Sequence, residues 1–339
     1  MEYYYQKLSS AGKSFYRRLL SAIAERKSHV SGSPLLTKDA FAATVQAVNY
    51  DHPELFYVNF QKQSYLHDYR GYTLQLEYLY PPAAAEALKQ QIDARADAII
   101  KAIGVDRMRP SYIQYQILHD QLLHAVRYDS SAPSNSRANL EAHTIAGVFL
   151  SHAAVCEGIA KAFKYLCNKA NLFCMLVSGS SADSQTGQIV SHAWNIVKLN
   201  DGFAHMDVTW DINVSTHSHF DRYDYFCISD EDAKLDHTYS DTPPCISSSH
   251  SYFVSKKAAI SSFSHLESFL SAKMTAQEEV IYFKLKRNGS LTRADALQIA
   301  ELVEKAANKY CTNGYTYSAS FNEKQNIFFF RFTYRYPRY

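Results

Sequence analysis

The run from Cys156 to Ala170 constrains the fold more than any other part of the chain. Its apolar residues Ile159, Phe163, Leu166 and Ala170 recur at i, i+4, i+7 and i+11, which is one face of a helix. Three strand-like runs follow it: Leu172 to Ser178, His192 to Leu199, and Phe203 to Thr209. The last two flank Asn200-Asp201-Gly202, a strong hairpin signal. A helix followed by a block of strands points to an α+β architecture.

Both flanks also mix helix and strand signals. Leu8 to Arg26 reads as a helix through Phe15, Leu19 and Ile23, and Thr37 to Val48 as a second, with Thr37 or Asp39 as N-cap. Leu55 to Phe60 and Tyr72 to Leu79 read as strands. Pro81-Pro82 opens an alanine-rich helix, Ala83 to Ile103, which Gly104 and Pro110 end. A further helix spans Ser111 to Val126, and a polar loop follows it from Asp129 to Arg137. After Asp211 the sequence is loop-like as far as Pro243-Pro244. The tail predicts a helix (Lys256 to Ala272), a strand (Val280 to Lys286), a helix (Thr292 to Lys309) and two strands (Tyr315 to Phe321, Asn326 to Tyr334). The aromatic last strand is either an exposed edge or buried against the preceding helices. These signals predict three parts: an N-terminal α+β domain (1–108), a central core (109–245) and a C-terminal α+β domain (246–339).

Composition excludes several classes of function. The 35 basic and 33 acidic side chains leave a net charge of +2, too small to drive binding to nucleic acid. No apolar run approaches the ~18 residues of a membrane span. Met1 to Ser10 lacks a basic region followed by an apolar one, so no signal peptide is expected, which favours the cytoplasm unless a leader has been removed. The 26 tyrosines suit half-buried strand positions or a polymer-binding face. The six cysteines show no C-x-x-C spacing, which argues against a zinc ribbon.

Cys156 opens its helix in Ala153-Ala-Val-Cys156-Glu-Gly-Ile-Ala160. A helix N-terminus carries unpaired N–H groups and partial positive charge, which favour a thiolate and can bind an oxyanion. Gly158 costs a helix about 1 kcal/mol against Ala, which implies a close approach to the backbone there. The alternative for a single cysteine is a small buried apolar side chain. A thiol site also needs an imidazole base and a carboxylate to fix its tautomer, and His192 and Asp207 are the candidates. A two-residue turn at Asp201-Gly202 sets Asp207 opposite Ile196, roughly 13 Å along the strand from His192 at ~3.3 Å per residue. Contact therefore requires a shifted register, a bulge or strong twist.

Val155-Cys-Glu-Gly, Ser191-His-Ala-Trp-Asn and Met206-Asp-Val-Thr-Trp-Asp211 together resemble the bacterial transglutaminase-like family of the papain-like superfamily. The resemblance spans roughly residues 111 to 240. Ile159 replaces a frequent aromatic residue and Ser191 a frequent glycine, which bears on pocket shape. The resemblance implies a core in which the cysteine-bearing helix packs on an antiparallel sheet. It also implies a catalytic triad of Cys156, His192 and Asp207 and a thioacyl intermediate, with no cofactor and no metal. The implied substrate is a peptide or protein amide, with cell-wall peptide one candidate; the sequence does not choose the acceptor, and the abundance of water in an open site favours hydrolysis over cross-linking.

Other readings stand beside this one. A scaffold that keeps the papain-like core without catalysis would bind a polymer or a protein through its Tyr-rich flanks. Arylamine acetyltransferases share the Cys, His, Asp order, but their other motifs are not apparent. Trp194 and Trp210 are either groove walls or core anchors. Asp211 is a structural acid or a helper, and Asn195 bonds locally. His205 is an alternative base or a hairpin packing residue. His217, His219, Asp221 and Asp224 are zinc ligands or a solvated loop.

Overall fold

The computed structural model describes residues 2–62, 64–69, 71–104, 109–131, 137–182, 188–287, 289 and 291–335. Contacts divide the chain into two units. The first holds Met1–Ser178, His192–Asp201 and Met206–Asn213; the second holds Gly179–Ser191, Gly202–His205 and Val214–Tyr339. The boundary expected at residue 108 lies outside the described residues.

The chain begins with helices α1 (Tyr3–Lys7) and α2 (Ser10–Ala24), strand β1 (His29–Ser31) and helix α3 (Lys38–Asp51). Ser9 and Thr37 cap α2 and α3 by accepting the Gly12 and Ala40 N–H groups. Phe15, Leu19 and Ile23 of α2 pack with Phe41, Val45 and Val48 of α3 over Leu74. Leu74 lies in β3 (Gly71–Gln75), the middle strand of an antiparallel sheet ordered β1-β3-β2, with β2 at Ser64–Asp68. The strand expected over Leu55 to Phe60 is instead a series of turns. Leu55 and Val58 bond back to His52 and Leu55, and Val58 makes one isolated bridge to Tyr78. Burial of Phe56 and Val58, rather than strand pairing, accounts for the apolar run.

Helix α4 (Pro82–Ile103) follows and ends at Gly104, which is left-handed at φ 55°. After α5 (Ser111–Ala125) come β4 (Arg127–Tyr128), α6 (Arg137–Ala142), α7 (Ile145–Phe149), β5 (Ala153–Ala154) and α8 (Cys156–Lys169). The face of α8 expected to be apolar is buried throughout at Ile159, Phe163 and Leu166. Strands β6 (Cys174–Ala182), β7 (Ile189–Leu199) and β8 (Gly202–Met206) join β9 (His237–Thr238) in a sheet ordered β8-β7-β6-β9. The two-residue turn between β7 and β8 is Asn200-Asp201, one residue earlier than the expected Asp201-Gly202, because β8 already begins at Gly202, which takes φ 146°. The third strand expected here ends early: β8 stops at Met206, and helix α9 (Val208–Ser218) follows at once.

In the second unit, α10 (Asp230–Ala233) precedes β9, and α11 (Tyr252–Ser255) follows it. The single helix expected from Lys256 is broken. Lys257 adopts φ 54°, β10 covers Ala259–Ile260, and Ser262 then caps α12 (Phe263–Thr275). Next come β11 (Val280–Leu285), α13 (Arg293–Tyr310), β12 (Tyr315–Asn322) and β13 (Ile327–Tyr334). A capping box of Thr292 and Asp295 starts α13. The strand order β10-β11-β13-β12 makes the aromatic last strand an interior one, paired on both sides. Phe328 and Phe330 of β13 stack on Phe283 of β11 within this unit's core. Among the described residues no helix is long and apolar enough to cross a membrane.

Candidate active site

Cys156 is the first residue of α8, and no side chain caps that end of the helix. It is partly exposed, whereas the other five cysteines are buried. The Val155 N–H donates to the Ala142 carbonyl, which fixes the entry of the helix. Gly158 is required by the same approach: a Cβ there would stand 2.2 Å from the Ala142 carbonyl oxygen. What comes close to the backbone at Gly158 is therefore the protein's own chain.

His192 lies on β7 and Asp207 follows the last residue of β8. Their side chains meet, with His192 Nε2 2.6 Å from Asp207 Oδ2. The separation expected from strand register is removed because the turn falls one residue earlier than expected and because Asp207 is not in a strand. It precedes α9, and its Oδ1 accepts the Trp210 N–H at 3.0 Å, the bond of a helix N-cap. The turn out of β8 carries the carboxylate to the imidazole. Both residues are almost wholly buried. Burial works against a charged imidazole, but the charge and hydrogen bond of Asp207 outweigh it, with a further contribution from a hydrogen bond to Cys156. The His192 pKa is raised to about 10. The structure thus brings all three expected site residues together, with the imidazole between carboxylate and thiol.

Two tryptophans set the plane of the ring. Trp194 stacks on His192 at 5.7 Å and 17° between planes, and Trp210 lies against it at 5.6 Å and 51°. Both indoles are buried. Asn195 donates to the Ala160 carbonyl at 3.0 Å and tethers β7 to α8.

Several neighbours of the site carry no sequence signal. Tyr50 of α3 joins Ala160, Leu176 and Ala193 in a buried cluster on which Cys156 and Tyr4 pack. Glu157 gathers four donors: Lys161 at 2.8 Å, Asn49 and His143 at 3.1 Å, and Gln61 at 2.5 Å. Burial opposes its ionisation, yet Lys161 and His143 hold it well below the usual carboxylate range. Asn49 and Gln61 lie 108 and 96 positions away in sequence, so no local pattern announces them.

Asp211 is a structural acid. It is fully buried, and its Oδ2 lies 3.1 Å from His119 Nε2, whose Nδ1 faces Asp120. Burial opposes protonation of His119, but hydrogen bonds to Asp120 and Asp211 raise its pKa to about 9. In the second unit His205 faces Asp230 at 3.0 Å, and burial lowers its pKa to about 4. Of the suggested metal set at 217–224, Asp224 takes a bidentate ion pair from buried Arg222 at 2.8 and 2.9 Å.

Residues 103–208 match the model of the transglutaminase-like superfamily. No curated protein matches the chain significantly. Among solved structures, a TGase shares 14% identity at a TM-score of 0.31, covering 53% of this chain and 50% of its own. A proposed cysteine protease from Cytophaga hutchinsonii shares 14% identity at 0.27, covering 41% and 52%. The chain thus spans about half the length of each. The segment that matches this superfamily model holds Cys156, His192 and Asp207.

Proposed function

We propose that the protein is a thiol-dependent amide or acyl hydrolase or transferase, with Cys156 as nucleophile, His192 as acid–base and Asp207 as the group that orients His192. The observation that carries this reading is the placement of His192 between the Asp207 carboxylate, at 2.6 Å, and the Cys156 thiol. Asp207 holds Nε2, which leaves Nδ1 to exchange a proton with sulfur and substrate.

In the proposed cycle the Cys156 thiol gives its proton to His192, and the thiolate attacks the carbonyl carbon of an amide. The first-turn N–H groups of α8, which no side chain caps, supply donors to the developing oxyanion. Protonated His192 delivers its proton to the leaving nitrogen, the C–N bond breaks, and a thioester remains on Cys156. Water or an amine then attacks the thioester. His192 takes the proton of the incoming group, the C–S bond breaks, and the sulfur leaves as a thiolate beside protonated His192, as at the start of the cycle. Water is present throughout the solvent, so hydrolysis is the favoured outcome, with peptide or protein amides as substrates.

A mass-spectrometric screen of peptide libraries, cell-wall peptides included, tests the reading on the full chain against Cys156→Ala. The proposal expects new acids or new amides with the full chain and none with the variant. Equal product from both would remove Cys156 from the chemistry. A chain inert on every library, whose biological effect survives Cys156→Ala, would favour the binding scaffold.

A further inference from the structure

The second unit contains a set of side chains with the chemistry of a zinc site. His205, Asp230 and Cys245 each offer one ligand atom, and these atoms lie within 4.8 Å of one another. His205 and Cys245 are 1% exposed and Asp230 is half-buried. Imidazole nitrogen, carboxylate oxygen and thiolate sulfur are the three donor types that zinc takes, at bond lengths of about 2.0 to 2.3 Å. Tetrahedral geometry at those lengths sets ligand atoms roughly 3.3 to 3.6 Å apart. The His205 Nε2 to Asp230 Oδ1 separation is already 3.0 Å.

Backbone bonds hold the three carriers in place. His205 exchanges both of its main-chain bonds with Ile228, at 2.8 and 3.0 Å. The Asp230 N–H donates to the Cys245 carbonyl at 2.8 Å, and the Cys245 N–H returns a bond to Asp230 Oδ2 at 2.9 Å. The Tyr239 hydroxyl donates to Asp230 Oδ1 at 2.6 Å, and its ring lies 4.7 Å from that of His205. Such outer contacts orient ligands. The Cys245 sulfur has a weak bond to the Pro243 carbonyl at 3.5 Å. A cavity of about 570 Å³ is lined by Asp230 and Cys245, though not by His205, together with Ser229 and the cationic Lys284, Lys286 and Arg287.

We propose that His205, Asp230 and Cys245 bind one zinc-class divalent cation. Binding releases the Cys245 thiol proton to solvent. It takes His205 with its proton on Nδ1, so that Nε2 and Asp230 Oδ1 exchange their shared hydrogen bond for bonds to the metal. The site is independent of the reaction proposed for Cys156.

The test uses the full chain carrying Cys156→Ala, which removes the one partly exposed thiol as a competing ligand. After incubation with zinc and gel filtration, elemental analysis should find one equivalent. Cobalt in place of zinc should give near-ultraviolet thiolate-to-cobalt absorption and the visible bands of a tetrahedral ion. Adding Cys245→Ser or His205→Gln should weaken binding at least tenfold. No stoichiometric metal, or cobalt bound without sulfur absorption, would overturn the site whether or not the double variants fold. Unchanged affinity in a folded Cys245→Ser protein would overturn it equally.

Discussion

Asp207 gives one carboxylate oxygen to His192, at 2.6 Å, and the other to the Trp210 N–H, at 3.0 Å. The acid that orients the imidazole also starts α9, so substitutions should separate the two roles. Asp207→Asn keeps an N-cap oxygen and removes the charge; Asp207→Ala removes both. Each should lower kcat/KM by about 10² to 10⁴. In denaturant unfolding, Ala should cost about 1 kcal/mol beyond Asn. Equal unfolding midpoints would show that the cap contributes nothing.

Stability should fall at alkaline pH. His119 and His192 have folded pKa values raised to about 9 and about 10 from an ordinary 6.5. A raised imidazole stabilises the fold fully below its unfolded pKa and loses that contribution as pH rises through its folded one. Between pH 7 and 9 the loss from each group is at most about 1.4 kcal/mol per pH unit. Urea midpoints measured across this range should decline, and His119→Gln, although less stable at pH 7, should decline less steeply. A slope that ignores the substitution would contradict the His119–Asp211 pairing.

Glu157 should matter to the fold more than a residue in the first turn of a helix ordinarily does. Glu157→Ala leaves Lys161, 5% exposed, without its carboxylate, a change that costs about 3 to 5 kcal/mol for a buried pair. Glu157→Gln, which keeps an acceptor, should cost less. The depressed carboxylate stabilises the fold above its ordinary pKa, and that contribution is lost as pH falls. Thermal melts of both variants at pH 7 check the ranking.

Gly158→Ala tests backbone approach against helix propensity. Alanine favours the helix by about 1 kcal/mol. The added Cβ meets the Ala142 carbonyl at 2.2 Å, and overpacking of this kind costs about 1 to 3 kcal/mol. The net effect should be destabilising, and kcat should fall because α8 carries Cys156 at its displaced end. A raised Tm would contradict the contact.

The elements that could be read from the sequence were those with a local cause. The apolar face of α8, the cap at Thr37, and the hairpin signalled by Asn200-Asp201-Gly202 each depend on residues a few positions apart. Elements went unread where a cap or tertiary burial decided the outcome. Asp207 read as a strand residue because Val208 and Trp210 are strand-like, yet its side chain caps a helix. Leu55 to Phe60 read as a strand because apolar residues cluster there, yet turns bury them. In the site, the three motifs announced Cys156, His192 and Asp207. Tyr50, Glu157's partners and the His119–Asp211 pair arise from contacts between distant segments and left no spacing to detect.

In the proposed enzyme His192 activates Cys156. The other five thiols are buried, so selective alkylation of Cys156 would follow from exposure alone. Dependence on His192 is the informative quantity. The direct measurement is the rate of iodoacetamide alkylation at Cys156, followed by intact mass at pH 7, in the natural chain and in His192→Ala. The rate should be at least tenfold lower in the variant, with the fold retained by circular dichroism. Equal rates would mean that the imidazole does nothing for the sulfur, and the proposed enzyme would be contradicted.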